Sequence, residues 1–176
     1  MQRPVPDLSM YAVRAPLTDD AESLGQMHCQ VWQQTYAEAM DPQAYAALSP
    51  EQFARGWHCR LQGVDDNGAM ATGDRMMLAT HAEDGIIAMI IVGPGRDEGP
   101  PTTRRLSTLN VASEHQGTGL AHHLMVEVLG EGPAYLWVAK CNDRAIRFYT
   151  RHGFALDGIE FIAEDGITEM RMVRHG

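Results

Sequence analysis

Gln116-Gly117-Thr118-Gly119-Leu120-Ala121 separates an apolar stretch ending at Val111 from a run in which Leu120, Ala121, Leu124, Met125 and Val128 share one helical face. Leu106 to Val111 therefore predicts a strand. The run beyond predicts a helix that Gly130 ends in the left-handed conformation. Glycine stands where a backbone must come very close to something, and the helix opens on bare amides. Those amides and the helix dipole make an anion site that suits a pyrophosphate. A ligand-free turn explains an isolated glycine pair equally well, so the surroundings decide. A dinucleotide site wants a third glycine where His122 or His123 stands, and an acidic residue for ribose where the next strand ends in Lys140. A P-loop wants lysine and a hydroxyl residue after its glycines, but Leu120 follows Gly119.

Working outward, Ala134 to Ala139 predicts a strand, and Asn142 or Asp143 caps a helix carrying Ala145, Ile146 and Tyr149 that Gly153 terminates. Phe154 begins the last strands, which turn at Asp165-Gly166. Upstream, Met76 to His81 and Ile86 to Val92 flank Asp84-Gly85 as an antiparallel hairpin, and a loop spans 93–103. Residues 63–74 are too rich in glycine, aspartate and asparagine for a periodic apolar face and read as a loop. Ser49-Pro50-Glu51-Gln52 starts a helix reaching about Leu61. Tyr11 to Ala15 reads as a short strand ended by Pro16. Asp19 with Glu22 resembles a capping pair before a helix burying Leu24, Met27, His28 and Val31. The order reads as one α/β or α+β layer structure over 1–176.

The length of 176 residues fits one domain. The longest apolar run, Ile86 to Val92, falls far short of the roughly 20 residues of a membrane-spanning helix. Met1 to Asp7 shows no export signal, so a cytoplasmic protein without a membrane partner is expected. Cys29, Cys59 and Cys141 are odd in number and widely spaced, which argues for free thiols. A formal charge of −9 repels phosphate backbones and argues against nucleic acid, while favouring a cationic or neutral small molecule. The eight histidines form no HExxH pattern and there is no CxxC, so no metal is expected. Prevalence alone names a homodimer as the assembly to test.

The residues resemble the GNAT superfamily of N-acetyltransferases, whose Q/R-x-x-G-x-G/A signature is matched by Gln116, Gly119 and Ala121. Ala145-Ile146-Arg147-Phe148-Tyr149 followed by Gly153-Phe154 is similar to the family's A-x-x-F-Y-x-x-x-G-F segment, and Asn142 sits at the family's asparagine position. Arg14, Asp20, Trp32 and Tyr36 extend the likeness upstream, more weakly before residue 75. Asn110 departs from it, standing where many relatives carry an aromatic residue. The resemblance implies a mixed, mostly antiparallel sheet with a splayed strand pair and helices on both faces. The cofactor-binding core would span about 104–156, with acceptor-side helices over about 19–62.

By that resemblance, acetyl-coenzyme A is the co-substrate, held by Leu109, Val111, Gln116, Gly117, Thr118, Gly119, Leu120, Ala121, Asn142 and Tyr149. The acetyl group passes to a primary amine of a small molecule or peptide by direct attack, with Tyr149 protonating the thiolate and the Val111 amide polarising the carbonyl. Packing alone is the competing explanation for Tyr149, and helix capping for Asn142. Trp32 and Tyr36, four apart, would wall the acceptor pocket, although aromatic pairs at that spacing more often fill a core. Glu160, Glu169 and His81 lie on strands that could face the acceptor, and none is assigned as base. The alternative function is a noncatalytic acyl-coenzyme A binding or sensing domain.

Overall fold

The computed structural model describes residues 8–176, so the stretch Met1 to Asp7, read above for an export signal, lies outside the described residues. Seven strands form one sheet in the order β1-β2-β3-β4-β5-β7-β6. They are β1 (Tyr11–Arg14), β2 (Arg75–His81), β3 (Gly85–Pro94), β4 (Arg104–Val111), β5 (Ala134–Ala139), β6 (Ala155–Ile162) and β7 (Thr168–Arg174). Neighbours are antiparallel except β4 and β5, whose parallel pairing needs a long crossover. The segment that opens on Gln116 supplies it.

The parallel pair meets only at Arg105↔Tyr135 and Leu106↔Leu136. On either side the ladders run on: β3 pairs with β4 to Val111, and β7 pairs with β5 to Ala139. Beyond Leu106 the two strands therefore part, as the resemblance implied. A bulge marks the place. Ile91 faces Thr108 while Val92 faces Leu106, leaving Ser107 as an extra residue that bends β4 away.

β2 and β3 are buried on both faces, which explains why Ile86 to Val92 reads as an unbroken apolar run. One face packs Met77, Ala79, Ile87 and Ile90 with Leu120, Leu124 and Val128. The other packs Met76, Leu78, Met89 and Ile91 against α1 (Ala21–Tyr36) and α3 (Pro50–Leu61). Ser49 caps α3, its Oγ accepting the Gln52 amide at 3.2 Å. A short α2 (Pro42–Ala46) is capped by Asp41.

The start of α1 differs from expectation. Asp20 stands at its cap position, and its carboxylate takes the Leu17 amide at 2.6 Å and both Arg14 guanidinium nitrogens at 2.7 and 2.8 Å. A charged fork from β1 thus outcompetes the Asp19–Glu22 pairing, and Glu22 reaches His58 at 3.1 Å. The crossover helix differs too. α4 (Leu120–Leu124) widens into a π turn over Met125–Leu129, closed by the Gly130 amide on the Met125 carbonyl at 3.1 Å. Gly130 has φ 72° but ψ −167°, so it leaves the helix extended rather than as a left-handed cap. Arg174 takes its carbonyl at 2.6 Å. Among the described residues no helix is long and apolar enough to cross a membrane.

Candidate active site

A cleft of about 1480 Å³ opens where β4 and β5 part, lined by Leu109 to Val111, by the segment 115–119, by Ala121 and by residues of α1 and α5. The loop at its mouth is held from inside. Gln116 Nε2 donates to the Val111 carbonyl at 2.9 Å, and Thr118 Oγ1 donates to the His115 carbonyl at 2.8 Å. Gly117 has φ 85° and Gly119 φ 94°, a region that side chains resist. A Cβ on Gly117 would meet nothing within 4 Å, so the space above the loop is open and the glycine is required for its conformation. The first amides of α4 have no acceptor within their own helix, and that of Leu120 makes only a long contact to Thr118 Oγ1 at 3.4 Å, so this helix mouth is suited to an anion. Leu120 is buried, which limits its contribution to the backbone.

The backbone of β4 is also turned usefully. Ala112 donates to the Ile87 carbonyl at 2.8 Å, so Ala88 and Val111, one step back, form a non-hydrogen-bonded pair. The amides of Val111 and, two residues earlier, Leu109 therefore point away from β3 into the gap. They can pair with an extended polar chain or polarise a carbonyl there.

Asn142 caps α5 (Asp143–Arg151), its Oδ1 accepting the Ala145 amide at 3.0 Å. It also lines the cleft, so capping α5 does not withdraw it from the site. Tyr149, on the same helix, packs in the main core yet lines the cleft. Burial, and then Tyr36, holds its phenol above the ordinary tyrosine range, so it stays protonated. The Tyr36 phenol is itself pushed up to about 12, by burial and then by Glu169 and Cys141, with a hydrogen bond from Asn142 opposing. Of the aromatic pair on α1, Tyr36 reaches the cleft with Val31 and Thr35. Trp32 stands edge-on to Tyr36 at 5.4 Å and packs against His28 and Phe53.

The strand residues left open as bases separate clearly. Glu160 pairs with Lys140 at 3.0 Å at the surface, and His81 pairs with Asp84 at 2.8 Å at the hairpin tip. Glu169 lies opposite Ala139, hence on the same sheet face, which carries the small cluster of Met40, Ala139 and Ile167 with Tyr36. Burial and then Asp165 raise the pKa of its carboxyl.

The sequence reading missed a rim of two arginines and two histidines. Arg144, Arg151 and His152 line the cleft with His122, whose Nδ1 is 2.8 Å from His152 Nε2. Arg144, Phe148 and Arg151 recur at helical spacing, a signal that was available. In a chain of net charge −9, this concentration of basic groups suits a phosphorylated ligand.

An open sheet parted between parallel strands, with a glycine turn leading into a helix, is the architecture of a coenzyme A-dependent acyltransferase. The chain belongs to the acetyltransferase (GNAT) family, whose model matches residues 32–154. It is 26% identical over 157 residues to the probable N-acetyltransferase Rv2775 of Mycobacterium tuberculosis, covering 87% of this chain and 84% of that protein. The fold is similar to the PaiA N-acetyltransferase of Thermoplasma acidophilum, solved in complex with coenzyme A, at a TM-score of 0.66, 17% identity and coverage of 92% and 97%. It is equally similar to PH1933 of Pyrococcus horikoshii, at a TM-score of 0.66, 17% identity and coverage of 94% and 98%. Acetyl transfer is thus the general chemistry of the chain, with acetyl-coenzyme A as co-substrate.

Proposed function

We propose that the chain forms one acetyltransferase domain that moves the acetyl group of acetyl-coenzyme A directly to a primary amine of a small molecule or peptide. The observation that carries this is the Val111 amide turned into the gap between β4 and β5, beside a glycine turn and within one cleft with Tyr149. The co-substrate supplies the activated thioester. The glycine turn and the amides of α4 hold its diphosphate, and Arg144 and Arg151 at the rim face its remaining phosphate. Leu109 and Val111 fix the extended arm, and the Val111 amide stabilises the charge that grows on the carbonyl oxygen.

Tyr149, kept protonated by burial, delivers its proton to the departing thiolate. Glu169 is the base: its raised pKa brings a carboxylate closer to the range in which it can take a proton from an ammonium, directly or through water. The acidic chain draws in a cationic acceptor. The test is free-thiol release with a panel of polyamines, aminoglycosides, amino acids and peptides, using Tyr149→Phe as comparison. Turnover of at least one amine, reduced in the variant, supports the reading. Cofactor binding with no turnover across the panel would return the chain to the noncatalytic alternative, and unchanged turnover in the variant would remove the role of Tyr149.

A further inference from the structure

Three side chains outside the proposed chemistry converge beside the cofactor loop. His81 ends β2, Asp84 lies in the hairpin turn, and His115 stands in the short turn just before Gln116. Their ligating atoms all lie within 4.8 Å of one another, with Asp84 Oδ2 2.8 Å from His81 Nδ1 and 3.1 Å from His115 Nε2. No Asp or Glu cluster alone would give this mixed donor set of two imidazoles and one carboxylate.

We propose that His81, Asp84 and His115 form a binding site for a divalent first-row transition metal, of the Zn²⁺ type, that braces the β2–β3 hairpin against the cofactor loop. Zinc takes nitrogen and oxygen ligands at about 2.0–2.2 Å, which sets neighbouring tetrahedral ligand atoms about 3.4 Å apart. The carboxylate oxygen needs to move back from each imidazole by only a few tenths of an ångström to admit the ion. The remaining imidazole-to-imidazole span closes by side-chain rotation.

The surroundings also fit. The Tyr11 hydroxyl is 3.2 Å from His115 Nδ1, where it is placed to hold a proton on Nδ1 as an outer partner once an ion replaces the proton that Nε2 shares with Asp84. The Tyr11 ring packs near both imidazoles, at 5.6 Å from His115 and 5.8 Å from His81. The two histidine side chains are 9% and 10% exposed, whereas that of Asp84 is 54% exposed, which gives buried, oriented nitrogens and an open side for the ion and a water. The Glu83 amide points at His81 Nδ1 from 3.4 Å, too long to compete strongly with a metal. Charge favours a cation: Glu83, Asp84 and Glu114 stand in segments 76–95 and 106–139, which contain neither lysine nor arginine. Each histidine ligates as the neutral imidazole and Asp84 as the carboxylate, so binding needs no oxidant or reductant.

The geometry ties three segments together. His115 is joined through its carbonyl to Thr118, so an ion here would fix the hairpin to the turn that carries Gly117 and Gly119. The experiment is a calorimetric titration of chelator-stripped, untagged protein with ZnCl₂, with Co²⁺ absorption as a second readout of coordination. One equivalent should bind. Asp84→Asn and His81→Ala should weaken binding by at least about 100-fold, and Tyr11→Phe by roughly tenfold, the scale of an outer partner. His122→Gln, which breaks the other close imidazole pair, should bind as the parent does. No binding by the parent would overturn the proposal, as would binding that survives Asp84→Asn or is lost in His122→Gln. Because the Asp84 side chain is more than half exposed, its asparagine variant is expected to fold and decides the matter even where His81→Ala does not.

Discussion

The two walls of the cleft are made in different ways. One wall is a single stretch of chain, 109–121, and it works through its backbone: amides turned outward by strand alternation, and two glycines with positive φ. The opposite wall is collected from separate places: Tyr36 from α1, and Asn142 and Tyr149 from the start and body of α5, with Glu169 of β7 behind them, close enough to raise the pKa of Tyr36. It works through side chains whose protonation is set by burial and by one another. A contiguous backbone wall is suited to gripping a constant co-substrate, while an assembled wall leaves each residue free to vary with the acceptor.

If this division holds, substitutions on the two walls should separate binding from turnover. Tyr149→Phe should lower kcat by about 100-fold or more, the usual scale of a lost general acid, while calorimetry finds the affinity for acetyl-coenzyme A within about twofold of the parent. Gly119→Val should do the reverse. Its φ of 94° strains a β-branched residue by about 1–3 kcal/mol, and acetyl-coenzyme A affinity should fall roughly 10- to 100-fold in the same titration. Glu169→Gln should lower kcat about tenfold and flatten the acid side of the pH–rate profile. With a raised pKa, the ionised base of the parent is lost as pH falls through that value, and glutamine has no such limb.

A separate effect, on stability and not on turnover, lies behind both walls. His28 has a buried Nδ1 without a hydrogen-bond partner among the described residues, and burial, then Arg60, pulls its pKa down to about 4 from 6.5. Its neutral form is favoured in the fold, so its contribution to stability is full above pH 6.5 and is lost as pH falls through about 4. His28→Phe should therefore flatten the acid loss of stability by up to about 3 kcal/mol, read by urea unfolding between neutral and acid pH.

The contrast also explains what was legible in the sequence. The glycine turn, the strands around it and the Asn142 cap are each encoded within a few residues, and they appear where the sequence puts them. The assembled wall depends on register. Nothing local places Glu169 opposite Ala139, or tells which ring of Trp32 and Tyr36 turns to the cleft, because a spacing of four fixes a shared face but not its occupant. His81, Asp84 and His115 match no local metal motif, since a hairpin turn and a separation of 31 residues hide a cluster that only the fold closes. The start of α1 was misplaced by one residue for a similar reason: Arg14 on β1 selects Asp20.

The central claim is that the parted strands hold acetyl-coenzyme A through the backbone of 109–121. Amide chemical shifts of isotopically labelled protein, titrated with coenzyme A, test it directly. The account predicts saturable shifts concentrated at Leu109, Val111 and Gly117 to Ala121, with smaller ones at the start of α5 and little change in α3. Absent shifts, or shifts centred away from the gap between β4 and β5, would contradict it.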